Sequence, residues 1–162
     1  MAEAFNERKL PAARADRYRE VAAEIASVLD GEPNLTARMA TVASMLASSF
    51  DHYFWTGFYV VDGEELVVGP YQGTLGCLRI AFGRGVCGTA AAKRQTQLVA
   101  DVNAFPGHIA CDSRSQSEVV VPVFDPAGQL IAVLDVDSDR PAAFDDTDVR
   151  WLEAIVADTF AR

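Results

Sequence analysis

The chain has 162 residues, half of them apolar and 23% charged, with a formal net charge of −9 at pH 7. That length suits one domain able to bury about 70% of its unfolded surface without staples. The acidic balance gives no counter-ion-release drive toward nucleic acid or an anionic membrane, and the absence of a signal-like or membrane-length apolar run leads us to expect a soluble, cytoplasmic protein with reduced thiols.

Residues 1–15 read as an N-terminal tail and 16–162 as a single domain. From Asp16 to Leu29, the residues Tyr18, Val21, Ala22, Ile25, Val28 and Leu29 share one helical face. Gly31 and Pro33 end that helix, and Asn34 can cap the next, where Leu35, Met39, Val42, Ala43, Leu46 and Phe50 repeat the spacing. Phe54 to Val61 is aromatic and β-branched, a strand that turns at Asp62-Gly63 into a second from Glu65 to Tyr71. Val86 to Lys93 can be helical, and a short strand ends at Asp101. A second hairpin joins Glu118–Phe124 to Gln129–Asp137 around Asp125-Pro126-Ala127-Gly128. Asp145, with Asp148 three residues on, starts a last helix whose apolar face holds Val149, Leu152, Ile155 and Val156. Helices at both ends with hairpins between them predict an α+β domain, an antiparallel sheet with helices packed on it.

The middle of the chain offers several sites that do not survive a physical test. Gly83-Arg84-Gly85-Val86-Cys87-Gly88 matches the dinucleotide fingerprint G-x-G-x-x-G. A nucleotide site needs a full βαβ unit with an acidic residue about 20 positions on, and Asp101 follows too soon after a helix of barely two turns. The plain reading is a glycine-shaped turn into a short helix. Cys77, Cys87, His108 and Cys111 have the ligand types of a Cys₃His zinc centre but lack a close C-x₂₋₄-C knuckle. His52, at a helix–strand junction, reads as a surface residue. The run Asp135-Val136-Asp137-Ser138-Asp139 resembles a calcium loop until Arg140 takes the glycine position. Neither metal nor another cofactor is expected.

All three cysteines lie between positions 77 and 111, an odd number that argues against a structural disulfide framework. Cys111 sits in an irregular, turn-rich loop with His108, where a lowered pKa can make a thiolate nucleophile. Cys87 falls in the first turn of the short helix, where the macrodipole also favours thiolate. Cys77 follows Leu75-Gly76 on a loop or strand edge, where a small buried hydrophobe is an equal reading.

Carboxylates arrive from separate segments. Glu118 starts one strand, and Asp135 and Asp137 share one face of another by period-two alternation. They are either a solvated strand end or a buried cluster able to hold a cation and donate protons at raised pKa. Trp55 and Tyr59, four apart on the first strand, could wall a small-molecule pocket or belong to the core.

The segments Gly69–Gly73, Gly83–Ala91, Asp101–Ser113, Ser117–Pro122 and Leu134–Ser138 together resemble the free methionine-(R)-sulfoxide reductases, which are GAF-domain enzymes. The glycine–cysteine turn paired with His108-Ile109-Ala110-Cys111-Asp112 carries most of the resemblance, which runs from about Tyr18 to Phe160. It implies a GAF-like antiparallel sheet of about six strands flanked by helices, with the ligand enclosed under loops on one face. It further implies Cys111 as nucleophile, with Cys87 and also Cys77 as candidate resolving cysteines. Trp55, Tyr59, Glu118, Asp135 and Asp137 would line the pocket. The substrate would be free methionine (R)-sulfoxide, the reductant thioredoxin and the assembly a homodimer. Two rivals stand beside this reading: a non-catalytic GAF redox or small-molecule sensor, and a zinc-stabilised binding domain.

Overall fold

The structure, a computed structural model, describes residues 11–109 and 111–162. The expected N-terminal tail lies largely outside these residues, as does Ala110 of the cysteine loop. The chain runs through α1 (Pro11–Val28), α2 (Leu35–Ser49), β1 (Trp55–Asp62), β2 (Glu65–Gln72), β3 (Arg79–Ala81), α3 (Gly85–Lys93), β4 (Gln97–Val99), a 3₁₀ turn (Val102–Ala104), β5 (Ser117–Phe124), β6 (Leu130–Ser138) and α4 (Asp146–Phe160). All strand pairs are antiparallel, and the sheet order is β3-β2-β1-β6-β5-β4. This is the expected α+β domain with six strands.

Local chemistry accounts for most boundaries. The Asn34 side chain accepts from the Ala37 amide at 2.9 Å and caps α2. Asp145 and Asp148 form a reciprocal capping box at the start of α4. In the β5–β6 turn, Asp125 Oδ1 accepts from the amides of Ala127 and Gln129, each at 2.9 Å. Each hairpin places strands that are adjacent in sequence side by side. The contact of β1 with β6 then closes the sheet around its centre.

The two faces of the sheet differ. One packs Phe58, Val119, Val121, Leu134 and Val136 against Tyr18, Val21 and Ile25 of α1, Met39, Val42 and Leu46 of α2 and Leu152, Ile155 and Phe160 of α4. The other face carries Trp55, Tyr59, Val120 and Val133 and is covered only by the short α3 and by loops. With both faces covered, seven of the eight residues of β5 are buried.

His52 differs from its reading as a surface residue. It is 6% exposed, and its Nε2 lies 2.9 Å from Oδ1 of the fully buried Asp148. Tyr18 donates its hydroxyl to the same oxygen at 2.6 Å, while Arg14 and the Asp145 amide donate to Oδ2 at 3.0 and 2.8 Å. Asp148 thus ties α1, the α2–β1 connection and α4 into one polar network. No local spacing announces a partner 96 residues away. Burial pushes the Asp148 carboxyl up, but donation from His52, Tyr18 and the Asp145 amide outweighs it and leaves the pKa below its ordinary value.

Removing this acceptor strands several donors. Asp148→Ala is expected to lower unfolding free energy by about 3–5 kcal/mol at pH 7 in urea titration. A depressed carboxyl pKa stabilises the fold above the unfolded value of about 3.9, and that stability is lost as pH falls through the folded value. The gap between variant and wild type therefore narrows in acid. An unchanged midpoint at pH 7 would contradict the network's role.

Candidate active site

Antiparallel register brings the pocket residues into rows. Asp137 of β6 pairs with Trp55 of β1 on one side and Glu118 of β5 on the other. Asp135, two residues back, pairs with Gly57 and Val120. All therefore project from the thinly covered face, as the period-two reading expected for Asp135 and Asp137. Glu118 and Asp135 are 6% and 4% exposed, and Asp137 is half-buried. The buried-cluster reading of the carboxylates, rather than a solvated strand end, is the one observed.

Aromatic rings form one wall. Trp55 stacks on Tyr59 with ring centroids 5.7 Å apart and on Tyr71 at 5.0 Å. Its indole N–H donates to the Thr74 carbonyl at 2.8 Å, anchoring the loop after β2. Gly57 makes this packing possible, because a Cβ there would overlap Tyr71 and the Trp55 ring.

The opposite side is built by α3 and two loops. Gly83 and Gly85 adopt φ of +84° and +60°, and a Cβ on Gly88 would overlap the Ala81 carbonyl oxygen. The glycine run is thus a tight turn that lays α3 against β3 and delivers Cys87 to the pocket. Cys77 and Cys111 are joined in a disulfide with Cα atoms 5.5 Å apart, which clasps the loop after β2 to the loop before β5. Beside it, Thr74 donates its hydroxyl to Asp112 Oδ2 at 2.7 Å, and Arg114 pairs with the same carboxylate at 2.8 Å. These hydrogen bonds depress the Asp112 pKa, Arg114 contributing most.

Burial, then mutual repulsion, pushes the carboxyls of Glu118, Asp135 and Asp137 well above their ordinary values. No described ion pair engages any of the three. Such a cluster holds its protons to higher pH than isolated carboxyls do and titrates as a unit. The same causes raise the Tyr59 hydroxyl. Cys87 departs from expectation: burial and the neighbouring carboxylates raise its thiol pKa, overriding the macrodipole that favours thiolate. It is a free, buried thiol that donates toward Glu118 Oε2 at 4.0 Å. Burial lowers the His108 pKa, which disfavours an imidazolium beside Cys111 in the sequence.

Of the residues expected to form the site, Trp55, Tyr59, Cys87, Cys111, Glu118, Asp135 and Asp137 line one pocket directly. Cys77 closes its rim through the disulfide. The sequence reading missed the Thr74–Asp112 clasp and Gly76, where a Cβ would stand 2.9 Å from the Trp55 ring. It also missed Arg84, at the pocket edge and the start of α3. Asp112 lies within the cysteine motif, whereas nothing in the sequence marks Thr74.

The family profile described as a GAF domain matches residues 39–159. Free methionine-R-sulfoxide reductase of Escherichia coli (strain K12) is 41% identical over 140 residues, covering 86% of this chain and 84% of its own. The chain belongs to the GAF-domain family, in the group that holds the free methionine-R-sulfoxide reductases. GAF domain-containing protein A of Dictyostelium discoideum is 47% identical over 142 residues, 87% of this chain and 89% of its own. Free methionine-R-sulfoxide reductase from Neisseria meningitidis, solved in complex with its substrate, superposes with a TM-score of 0.86 at 49% identity, covering 90% of this chain and 87% of that one. No helix among the described residues is long and apolar enough to cross a membrane.

A GAF domain that keeps carboxyls protonated in its folded state gives up stability as pH rises. The unfolded chain ionises them at about pH 4 and the folded one only higher, so the contribution is present in acid and lost through that window. Glu118→Gln, which removes one such charge, is expected to raise Tm at pH 8 by about 3 °C or more and to match wild type near pH 4. Equal or lower Tm for the variant at pH 8 would show that the carboxyl is not held at a cost.

Proposed function

We propose that the protein, like the relatives named free methionine-R-sulfoxide reductase, reduces free L-methionine (R)-S-oxide to methionine, and that it does so through a thiol cycle. The observation that carries this reading is a cysteine disulfide at the rim of a pocket floored by three carboxyls of raised pKa. Thiol chemistry and proton supply then meet at one small-molecule site.

The Cys111 thiolate attacks the sulfoxide sulfur, and a carboxyl of the cluster protonates the departing oxygen. The sulfoxide gains two electrons and leaves as methionine, while Cys111 becomes a sulfenic acid. The Cys77 thiol then attacks the Cys111 sulfur, expelling its oxygen as water and forming the Cys77–Cys111 disulfide. An external dithiol of the thioredoxin type reduces that disulfide by exchange. Cys111 is exposed and thus open to such a reductant. Cys77 rather than Cys87 takes the resolving role here. Cys77 is the observed partner of Cys111, and the buried Cys87 has its thiol pKa raised among carboxylates.

Within the pocket, Trp55 and Tyr59 hold the thioether end and exclude water. The carboxylates left ionised receive the substrate's α-ammonium. A cation there relieves their repulsion, which makes the cluster a favourable site for a free amino acid and a poor one for a peptide.

Fully reduced enzyme mixed with excess racemic methionine sulfoxide, without reductant, is expected to release about one methionine per active site. Cys111→Ser abolishes this burst. Cys77→Ser keeps it but loses thioredoxin-supported turnover by roughly tenfold or more. The burst rate falls on the alkaline side as the cluster loses its proton. A burst surviving Cys111→Ser but not Cys77→Ser would reverse the roles. No methionine from either sulfoxide would favour a non-catalytic redox sensor.

A further inference from the structure

The disulfide cycle leaves one sulfur unused. Cys87 Sγ and one oxygen each of Glu118 and Asp135 lie within 4.8 Å of one another, with all three side chains buried. Asp135 Oδ1 is itself buried with no hydrogen-bond partner among the described residues, in a side chain only 4% exposed. A buried acceptor oxygen without a donor is costly and is relieved by a cation. From this constellation we infer that the pocket floor binds a borderline-soft divalent cation of the zinc class, held by Cys87 Sγ and the carboxylates of Glu118 and Asp135, and that this ion excludes the amino-acid substrate.

The donor set selects the ion. A thiolate with two carboxylates suits zinc or cadmium, whereas magnesium and calcium demand oxygen alone. Tetrahedral coordination with M–S of about 2.3 Å and M–O of about 2.1 Å places donors roughly 3.4–3.6 Å apart. The Cys87–Glu118 pair, at 4.0 Å, needs a shift of only a few tenths of an ångström. Asp137, directly across the β5–β6 ladder from Glu118, or a water can complete the shell. This is not the Cys₃His set weighed from the sequence, since Cys77 and Cys111 are tied in the disulfide. The site therefore persists when the enzyme is oxidised. Binding displaces the Cys87 thiol proton and any proton held on the ligating carboxyls, so at least one proton leaves per ion and affinity rises with pH. Cation binding stands apart from the catalytic assignment; exclusion of the substrate rests on it.

The test uses the full chain with its Cys77–Cys111 disulfide intact, so that Cys87 is the sole thiol. Titration with Cd²⁺ is expected to develop the thiolate-to-cadmium ultraviolet charge-transfer band, saturating at one ion per chain, while Mg²⁺ gives none. Cys87→Ser abolishes the band, and Asp135→Asn weakens apparent affinity by roughly tenfold or more. Glu118→Gln serves the same purpose should Asp135→Asn fail to fold. Free methionine should raise the apparent Kd for Cd²⁺. No band in the folded wild type, or equal affinity in both carboxylate variants, overturns the site. An unaltered Kd in saturating methionine, with the band intact, overturns only the exclusion.

Discussion

Three carboxyls packed side by side on a covered face of a β-sheet are the constraint on which the rest of this molecule turns. Glu118, Asp135 and Asp137 are brought together by strand register, with neither lysine nor arginine ion-paired to them among the described residues. Such a cluster can exist only by keeping protons or by accepting a cation. The fold tolerates it because the opposite face of the same strands packs a continuous apolar core against three helices. Stability is concentrated on one side of the sheet, and strain is held on the other.

Redox chemistry is coupled to the shape of that strained side. The disulfide joins the loop after β2 to the loop before β5, and both loops are also tied to the aromatic wall. Trp55 holds Thr74 by its indole N–H, and Thr74 holds Asp112, the neighbour of Cys111. Oxidation of the thiols thus fixes the rim over the carboxylate floor. The Thr74–Asp112 hydrogen bond joins the same two loops without a covalent link. Under the proposed cycle, which ends in this disulfide, a clasped and an unclasped rim would alternate over one floor.

Much of this was legible from short-range signals, and the limits are equally physical. The Asp145–Asp148 capping box, the Asn34 cap and the two hairpin turns depend on residues within a few positions, and each appears where the spacing predicts. The shared face of Asp135 and Asp137 followed from strand alternation alone. What spacing could not supply were long-range pairings. His52 reads as a surface residue until Asp148 meets it across the fold. Cys87 reads as an activated thiol from its place in a helix, yet burial in the fold, reinforced by carboxylates on two strands, raises its pKa. The choice of Cys77 as partner for Cys111 depends on two irregular loops approaching to 5.5 Å, which no periodicity encodes.

The central claim is that the carboxylate floor receives a free α-ammonium group, and the most direct measurement compares the free R-sulfoxide of methionine with its N-acetylated form. Acetylation removes the cation and leaves a buried carboxylate unpaired, a change that typically costs about 3–5 kcal/mol. The account predicts that kcat/KM falls by roughly 100-fold to several-thousand-fold for the acetylated compound. Comparable kcat/KM for the two would contradict it, since the pocket would then be recognising the sulfoxide without the amine.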